Sequence, residues 1–384
     1  MKILFLDQFS EMGGAQRSLL ETLAAVEQRG WQAWAAVPGA GQLVGQLQAR
    51  NVPVTEIPCG PYHSGTKTIA DALRFVADRK AQVRILGDLM NRVSFDLIFV
   101  NGPRLLPAAA VLASRQRTAV VFRAHSHIPQ RSALNLAARS VRRANATVAA
   151  CSDSVLQLFR GYIDPAKLEV IANGVPEIQF RERAFGRQAG WRIGVVGRIS
   201  PEKGQAEFVH AAALLHPKFP NAKFLICGAP LFADPAYFNR VQSQARGLPV
   251  EFLGWRDDVA SVFADLDLLV VPSRQEGMGR VVVEAFSAGV PVVAYPTGGI
   301  PELVVDGETV FLAPEKSSEA LADRIATVMT TQPDSLRRIV ANARQTWERS
   351  YTLAVYQERI TDLMERSVSL CRAERETATP QRHI

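Results

Sequence analysis

The chain has 384 residues, a length that corresponds on average to about two domains. Hydrophobic residues make up 47% and charged residues 21% of it, which excludes disordered, collagen-like and coiled-coil chains. No run of about 18 apolar residues occurs, so no membrane-spanning helix is predicted. The N-terminal segment MKILFLD lacks the long apolar region and cleavage site of a signal peptide, and we interpret it as the first strand of a cytoplasmic protein.

Basic residues are concentrated in the first half of the chain, whose formal net charge is +7 overall. Residues 1–176 contain 20 basic and 12 acidic residues, whereas residues 177–384 contain 24 basic and 25 acidic residues. Residues 97–152 contain eight arginines and no acidic residue. Such a one-sided field suits an anionic partner, such as a phosphate, an acidic sugar or a membrane surface. A solvated basic face without a partner explains it equally well.

Short apolar runs alternate with segments of helical periodicity, a pattern typical of parallel sheets covered by helices on both faces. In the first half, strands are predicted at 2–7, 32–37, 52–57, 96–100, 118–124 and 145–150, with helices between them. The pattern restarts at Trp191, with strands at 192–198, 223–227, 250–253, 267–271, 291–294 and 309–312. The predicted fold class is therefore α/β, with two Rossmann-like, doubly wound parallel-sheet domains in tandem.

The predicted domains are 1–176 and 191–350, joined by a polar linker at 177–190. A last helix is predicted at about 353–372, after the second domain. Open α/β sheets bind ligands outside the carboxyl ends of their strands. We therefore expect the two sheets to face each other across an interdomain cleft that holds the site.

Two predicted loops contain groups suited to phosphate. Gly13 and Gly14 follow the first strand and precede a helix, where exposed backbone amides bind anions, although a tight turn alone explains two glycines as well. The segment GRISPEKG (197–204) follows the strand that opens the second domain. Its cations, Arg198 and Lys203, are able to neutralise a diphosphate, unless the loop is only a solvated surface turn.

A third loop lies in the segment SRQEGMGRVVVEAFSAGVPVV (273–293). Glu276 and Glu284 are eight residues apart, roughly 12 Å along a helix, whereas paired glycosidase carboxylates lie about 5–9.5 Å apart. The two glutamates therefore fit separate hydrogen-bonding anchors on an extended ligand better than an acid/base pair. Directly after Glu276, glycines allow close approach of the backbone to a ligand at a helix start; the residues there are Gly277, Met278 and Gly279.

Other motifs are weaker. His125, in AHSH (124–127), follows a predicted strand and is placed to face a cleft, although a lone histidine is more often structural. Asp265 and Asp267 match a short metal–diphosphate pattern but flank a buried strand, so we interpret them as structural and predict no metal site. Neither first strand is followed by G-x-G-x-x-G, which disfavours a nicotinamide-dependent dehydrogenase.

Taken in order, these loops resemble the retaining glycosyltransferases of family 4, which have the GT-B fold. The resemblance covers nearly the whole chain and is strongest over residues 192–313, in VVGRISPEKG, in the segment from FLGWRDDV to GVPVVA and in TGGIPELVVDGETVFL. In the first half it rests on GGAQRSLL (13–20), VFRAH (121–125) and residues 151–175. Two departures are a second histidine, His127, and Gln16, where many relatives carry an acid.

The resemblance implies a role for each matching residue. Arg198 and Lys203 would clamp the donor diphosphate, Glu276 would contact the donor sugar, and Glu284 would hold the ribose hydroxyls. His125 would lie beside the transferred sugar, and the last helix, at about 353–372, would cross back to the first domain. The remaining donor-binding residues would act through their backbones; these are Gly13, Gly14, Gly197, Gly277, Met278 and Gly279. Family members typically need no metal or other cofactor, and their donor is a nucleoside-diphosphate sugar.

The function predicted from this resemblance is retaining transfer of a sugar to a hydroxyl of a glycan, lipid-linked or small-molecule acceptor, in bacterial surface polysaccharide or glycolipid synthesis. Electrostatic stabilisation of the leaving diphosphate, without a metal, agrees with the cations and helix-start amides described above. The alternatives are a non-transferring enzyme of the same fold, similar to hydrolysing epimerases, and an inactive nucleotide-sugar-binding subunit. The basic first half predicts an anionic acceptor or peripheral docking to the inner face of an anionic plasma membrane, and no nucleic acid.

Overall fold

The computed structural model describes residues 1–60, 68–180, 185, 190–231 and 235–377. The chain divides into two units, one formed by Met1–Gly174 with Leu353–Ile384 and the other by Val175–Thr352. Of the linker predicted at 177–190, residues 181–184 and 186–189 lie outside the described part of the chain. No helix among the described residues is both long enough and apolar enough to cross a bilayer.

The first unit is built on a parallel sheet of seven strands. They are β1 (Lys2–Leu6), β2 (Gln32–Val37), β3 (Val54–Glu56), β4 (Leu97–Val100), β5 (Ala119–Ala124), β6 (Thr147–Ala150) and β7 (Leu168–Val170). The strand order is β3-β2-β1-β4-β5-β6-β7, so the order reverses between β1 and β4. Both β4 and β5 are buried along their whole length, as continuous apolar runs in parallel sheets require. The sequence pattern did not predict β7.

Seven helices cover this sheet within the described residues. They are α1 (Gly14–Gln28), α2 (Gln42–Ala49), α3 (Ile69–Arg92), α4 (Leu106–Gln116), α5 (Arg131–Ala144), α6 (Asp153–Leu156) and, from the end of the chain, α14 (Leu353–Thr377). On one face, α1, α2 and α14 enclose a core with β1, β2, β4 and β5. On the other face, α4 packs between α3 and α5. The returning helix α14 thus completes the first unit.

The second unit repeats the architecture with six parallel strands. They are β8 (Arg192–Val196), β9 (Lys223–Cys227), β10 (Val250–Gly254), β11 (Leu268–Val271), β12 (Val292–Ala294) and β13 (Phe311–Leu312). The order is β10-β9-β8-β11-β12-β13, with the reversal between β8 and β11. Its helices are α7 (Gln205–Leu215), α8 (Pro235–Gln244), α9 (Val259–Ala264), α10 (Arg280–Ala288), α11 (Ile300–Leu303), α12 (Ser318–Thr330) and α13 (Pro333–Ser350). Two doubly wound parallel sheets confirm the predicted fold class.

One of the eight arginines assigned to a basic surface is instead part of the core. Arg123, on β5, is only 1% exposed. Its guanidinium donates to Asn173 Oδ1 at 2.6 Å and to the carbonyl of Ala149 at 3.2 Å, and it lies 5.5 Å from the ring centre of Tyr356 on α14. A buried strand position places the side chain inside the unit whatever its charge, so Arg123 is not part of a basic surface.

Candidate active site

The loop after β8 carries the two cations predicted to bind a diphosphate. It runs from Gly197 through Arg198 to a short 3-10 turn, Pro201–Lys203, and leads into α7. The buried side chain of Gln205 shapes this loop, because its Nε2 donates to the carbonyl of Arg198 at 2.8 Å and its Oε1 accepts from the Ser200 amide at 3.2 Å. Arg198 and Lys203 are therefore held on one ordered loop at the carboxyl end of β8.

The charges of these two cations act on a neighbouring carboxylate. Burial by itself raises the pKa of Glu202, but its hydrogen bonds and the positive charges of Arg198 and Lys203 outweigh burial and leave the pKa below its ordinary value. Arg198 and Lys203 thus create a field at this edge of the sheet that stabilises negative charge.

The loop after β11 packs directly against the loop after β8. The amide of Arg274 donates to the carbonyl of Glu202 at 2.8 Å. Gly204 has φ +72°, and a Cβ there would lie 2.0 Å from the carbonyl oxygen of Pro272, so only glycine allows the two loops this close. β8 and β11 flank the reversal of strand order, where open α/β sheets bind their ligands.

This packing brings Lys203 and Glu276 into contact. Lys203 Nζ lies 2.5 Å from Glu276 Oε1, which also accepts from Ser273 Oγ at 2.8 Å. Glu276 is 8% exposed, and the side chain of Lys203 is 27% exposed. The loop after β12 closes on the same residue, because a Cβ on Gly298, at φ +57°, would lie 1.8 Å from the Glu276 carbonyl oxygen. The site thus joins a nearly buried carboxylate to a cation that reaches solvent.

Glu284 has a different partner. It lies in α10, one turn after Arg280, whose Nε is 3.0 Å from Glu284 Oε1. Between the glutamates, Met278 is buried and Gly279 is the N-cap of α10, where no side chain caps the first amides. The two carboxylates therefore belong to separate ion pairs, in agreement with two anchors rather than one acid/base pair.

The predicted residues of the first unit lie at the carboxyl ends of its strands. Gly13 is the N-cap of α1 and Gly14 its first residue, and no side chain caps the helix start. His125 directly follows β5, and its Nε2 lies 2.7 Å from Asn101 Oδ1. His127 instead lies with its Nε2 3.0 Å from Ser154 Oγ. The two histidines are thus held by different elements.

The polar residues that sequence reasoning missed include Asp7 and Asn101. Asp7 follows β1, Asn101 follows β4, and both are buried. Asn101 Nδ2 donates to Asp7 Oδ2 at 2.6 Å, and Gln16 Nε2 donates to both Asp7 oxygens, at 2.9 and 3.1 Å. Burial raises the pKa of Asp7 to about 6, although these hydrogen bonds lower it. The sequence did contain a signal for Asp7 and Asn101, because each is a polar residue that directly follows a buried strand.

The Asp265 and Asp267 pair lies at the opposite edge of the second sheet. Asp267 Oδ2 accepts from the amide of Arg192, at the start of β8, and the Asp265 carbonyl accepts from Arg192 Nε, both at 2.8 Å. Asp265 and Asp267 thus stabilise the start of β8 through their contacts with Arg192. Among the described residues, no cluster of three His, Cys, Asp or Glu side chains is arranged to hold a metal ion.

Comparison with known families assigns both halves of the chain. Residues 179–346 match the model of glycosyl transferases group 1, and residues 13–174 match that of a glycosyl transferase 4-like domain. Each match falls within one of the two structural units.

Curated relatives and solved structures agree with these matches. D-inositol 3-phosphate glycosyltransferase of Corynebacterium glutamicum is 26% identical over 85% of this chain and 86% of its own length. The Corynebacterium efficiens enzyme of that name is 34% identical, but the match covers only 38% of this chain and 36% of that enzyme. The crystal structure of HepE from Anabaena in complex with UDP-glucose is similar at a TM-score of 0.78, with 26% identity over 95% of this chain and 99% of that one.

Proposed function

Because the chain belongs to the group 1 glycosyltransferases of GT-B fold, we propose that it transfers a sugar from a nucleoside-diphosphate sugar to an acceptor hydroxyl with retention of configuration. The observation that carries this proposal is the contact between Lys203 and the nearly buried Glu276 at the reversal point of the second sheet. The similar Anabaena structure contains UDP-glucose, which supports a uridine-nucleotide sugar as the first donor to test.

In this proposal, Lys203 serves the carboxylate and the donor together. An ammonium group has three N–H donors, and the contact with Glu276 uses one of them. The remaining donors, with the guanidinium of Arg198, stabilise the diphosphate as its bond to the anomeric carbon breaks. The backbone amides at the start of α10, whose N-cap is a glycine, add further positive potential. Glu276 holds a sugar hydroxyl, and Glu284 holds the ribose.

The transfer step proceeds on one face of the sugar. The acceptor oxygen bonds to the anomeric carbon as the bond from that carbon to the leaving phosphate oxygen breaks. The acceptor proton passes to that phosphate oxygen, so no protein nucleophile and no metal are needed. Proton NMR of the product tests this step, because the step keeps the anomeric configuration of the donor.

A donor screen tests the proposed function. Thermal unfolding is measured with a panel of nucleoside-diphosphate sugars, because a ligand that binds only the folded state raises the melting temperature. Release of nucleoside diphosphate is then measured with and without acceptor. Release that depends on acceptor supports transfer, release without acceptor indicates the hydrolysing alternative, and binding without release indicates an inactive binding subunit.

We also propose that the first unit docks on an anionic membrane through α5 and α3. The exposed arginines of α5 form no ion pair with an acidic residue in the described part of the chain; they are Arg131, Arg139, Arg142 and Arg143. Near the start of α3, Ile69, Leu73 and Val76 are exposed at helical spacing, and α4 packs between the two helices. Apolar side chains beside unpaired arginines match the interface of an anionic leaflet. Docking of this kind would bring the enzyme to the membrane surface that carries a lipid-linked acceptor.

Vesicle sedimentation tests the docking. Removing three arginines of α5 together, Arg139→Gln, Arg142→Gln and Arg143→Gln, should weaken binding to phosphatidylserine vesicles on the order of 100-fold at low salt, at about 1 kcal/mol for each charge. The matched control removes the same charge from the second unit, with Arg337→Gln, Arg338→Gln and Arg349→Gln on and at the end of α13. Absent binding, or binding that neither salt nor the α5 substitutions weaken, refutes electrostatic docking through α5 and leaves the soluble anionic acceptor.

A further inference from the structure

The carboxyl ends of β1, β4 and β5 carry a continuous chain of hydrogen bonds that ends on His125. It runs from Asp7 through the side-chain amide of Asn101 to His125 Nε2. Asp7 is fully buried and Asn101 is 3% exposed, so water does not substitute for these contacts. β1 and β4 are neighbours at the reversal of strand order in the first sheet, which explains why residues 94 positions apart meet.

The surroundings of Asn101 determine which way its amide points. Its Nδ2 lies 2.6 Å from Asp7 Oδ2 and 3.2 Å from the carbonyl oxygen of Ala15, and both atoms are acceptors. The reversed amide would point its oxygen at a carboxylate and a carbonyl at once, which is repulsive. Asn101 Oδ1 therefore faces His125, and a carbonyl oxygen only accepts. His125 Nε2 must donate, so it carries a proton.

The carboxyl group of Asp7 accepts hydrogen bonds at both of its oxygens although it is fully buried. Oδ1 accepts from Gln16 Nε2 and from the amide of Phe9, each at 2.9 Å, while Oδ2 accepts from Asn101 and Gln16. A buried carboxylate costs free energy unless its hydrogen bonds compensate. A leucine or serine at position 7 would avoid that cost. Neither residue has a carboxylate whose two oxygens both accept hydrogen bonds, so neither would orient Asn101.

We propose that Asp7 and Asn101 are positioning residues that hold His125 in one ring orientation with its proton on Nε2. The inference rests on the proposed function, in which His125 lies beside the transferred sugar. Each nitrogen of a neutral imidazole has a different role, one as donor and one as acceptor. A histidine with a fixed tautomer thus meets the sugar with a single hydrogen-bonding pattern, whereas an unrestrained ring samples two.

Nitrogen NMR of histidine-labelled protein tests the tautomer without any substrate. The signals of His125 are assigned by their loss in His125→Gln. In the unmodified protein above the titration of the ring, we expect a single tautomer with the proton on Nε2. Asn101→Ala should convert it into a mixture of both tautomers, and the matched control Ser154→Ala, which removes the partner of His127, should leave the signals of His125 unchanged.

Steady-state kinetics provide the second measurement. Asn101→Ala should lower kcat by about tenfold or more and leave the donor KM within about threefold, because ring orientation matters most in the transition state. Where Asn101→Ala does not fold, Asp7→Ser serves instead, since it removes the oxygens that orient Asn101 and should produce the same mixture of tautomers. A proton on Nδ1 in the unmodified protein, or a tautomer unchanged in Asn101→Ala, overturns the inference. If the unmodified protein has a fixed tautomer but His125→Gln turns over at the normal rate, only the role of His125 beside the sugar is refuted.

Discussion

Removing the ammonium of Lys203 tests the energetics of the candidate site. The substitution Lys203→Met keeps an unbranched stem without the ammonium and leaves Glu276 with Ser273 as its remaining side-chain partner. Stranding one member of a fully buried ion pair costs about 3–5 kcal/mol. Because the side chain of Lys203 is 27% exposed, water offsets part of this, and we expect a loss of about 2–3 kcal/mol in the free energy of unfolding.

A double-mutant cycle measures the coupling free energy between Lys203 and Glu276. Glu276→Gln removes the carboxylate charge and should cost about 1 kcal/mol, because the freed Lys203 ammonium reaches water. The double variant contains no stranded charge, so its loss should fall short of the sum by about 1–2 kcal/mol. Urea unfolding followed by tryptophan fluorescence measures the cycle. Additive losses would show that the 2.5 Å contact does not couple the two residues and would refute the reasoning.

The variant Lys203→Met also tests whether Lys203 binds the diphosphate of the donor. Losing one charge-assisted hydrogen bond of about 1.5–3 kcal/mol should weaken UDP binding by about 10- to 100-fold. Lys223→Met is the matched control, since Lys223 is an exposed lysine at the amino end of β9, about 16 Å of strand away from the binding edge. Calorimetry should show unchanged affinity for the control. Equal weakening by both substitutions would indicate a general charge effect and not a clamp.

Three further predictions concern stability. Gly298→Ala should cost at least about 2 kcal/mol in thermal unfolding, because a Cβ meets the Glu276 carbonyl at 1.8 Å, whereas Gly247→Ala, with a similar positive φ and open space, should cost about 1 kcal/mol. Tyr356→Phe should cost about 1–2 kcal/mol in urea unfolding, since the hydroxyl contacts two α1 hydroxyls, at 3.0 and 2.6 Å; equal stability would contradict that role. Burial raises the pKa of Asp7 from 3.8 to about 6, so the folded state binds its proton more tightly and stability falls as pH rises through that range. Relative to Asp7→Asn, the unmodified protein should lose about 3 kcal/mol of stability between about pH 4 and pH 8, and parallel pH profiles would exclude the raised pKa.

Periodicity and loop chemistry predicted the architecture. Continuous apolar runs such as β4 and β11 are buried on both faces, and the intervening helical patterns leave few alternatives to doubly wound parallel sheets. The short strand β7 was missed because three residues of intermediate burial carry little periodicity. Arg123 was misplaced on the surface because composition counts charges without regard to the strand that carries them.

The candidate site also combines residues that the sequence predicted with contacts that only the structure shows. Arg198, Lys203 and Glu276 were predicted from the sequence because they follow strands beside glycines, and Glu284 because it comes eight residues after Glu276; their roles stay predictions. That Lys203 contacts Glu276, and that Glu284 pairs with Arg280 instead, depends on how closely the loops after β8 and β11 pack.

What the sequence alone determined is the order of most strands and helices along the chain, because hydrophobic period and glycine position are local properties. Only the tertiary structure decided the partners of each charged or polar group, Asp7 and Asn101 above all. Those two residues are 94 positions apart, and their contact exists because the chain crosses over to make β4 the neighbour of β1. The sign and strength of electrostatic effects depend on such distances and on burial, which no local pattern encodes.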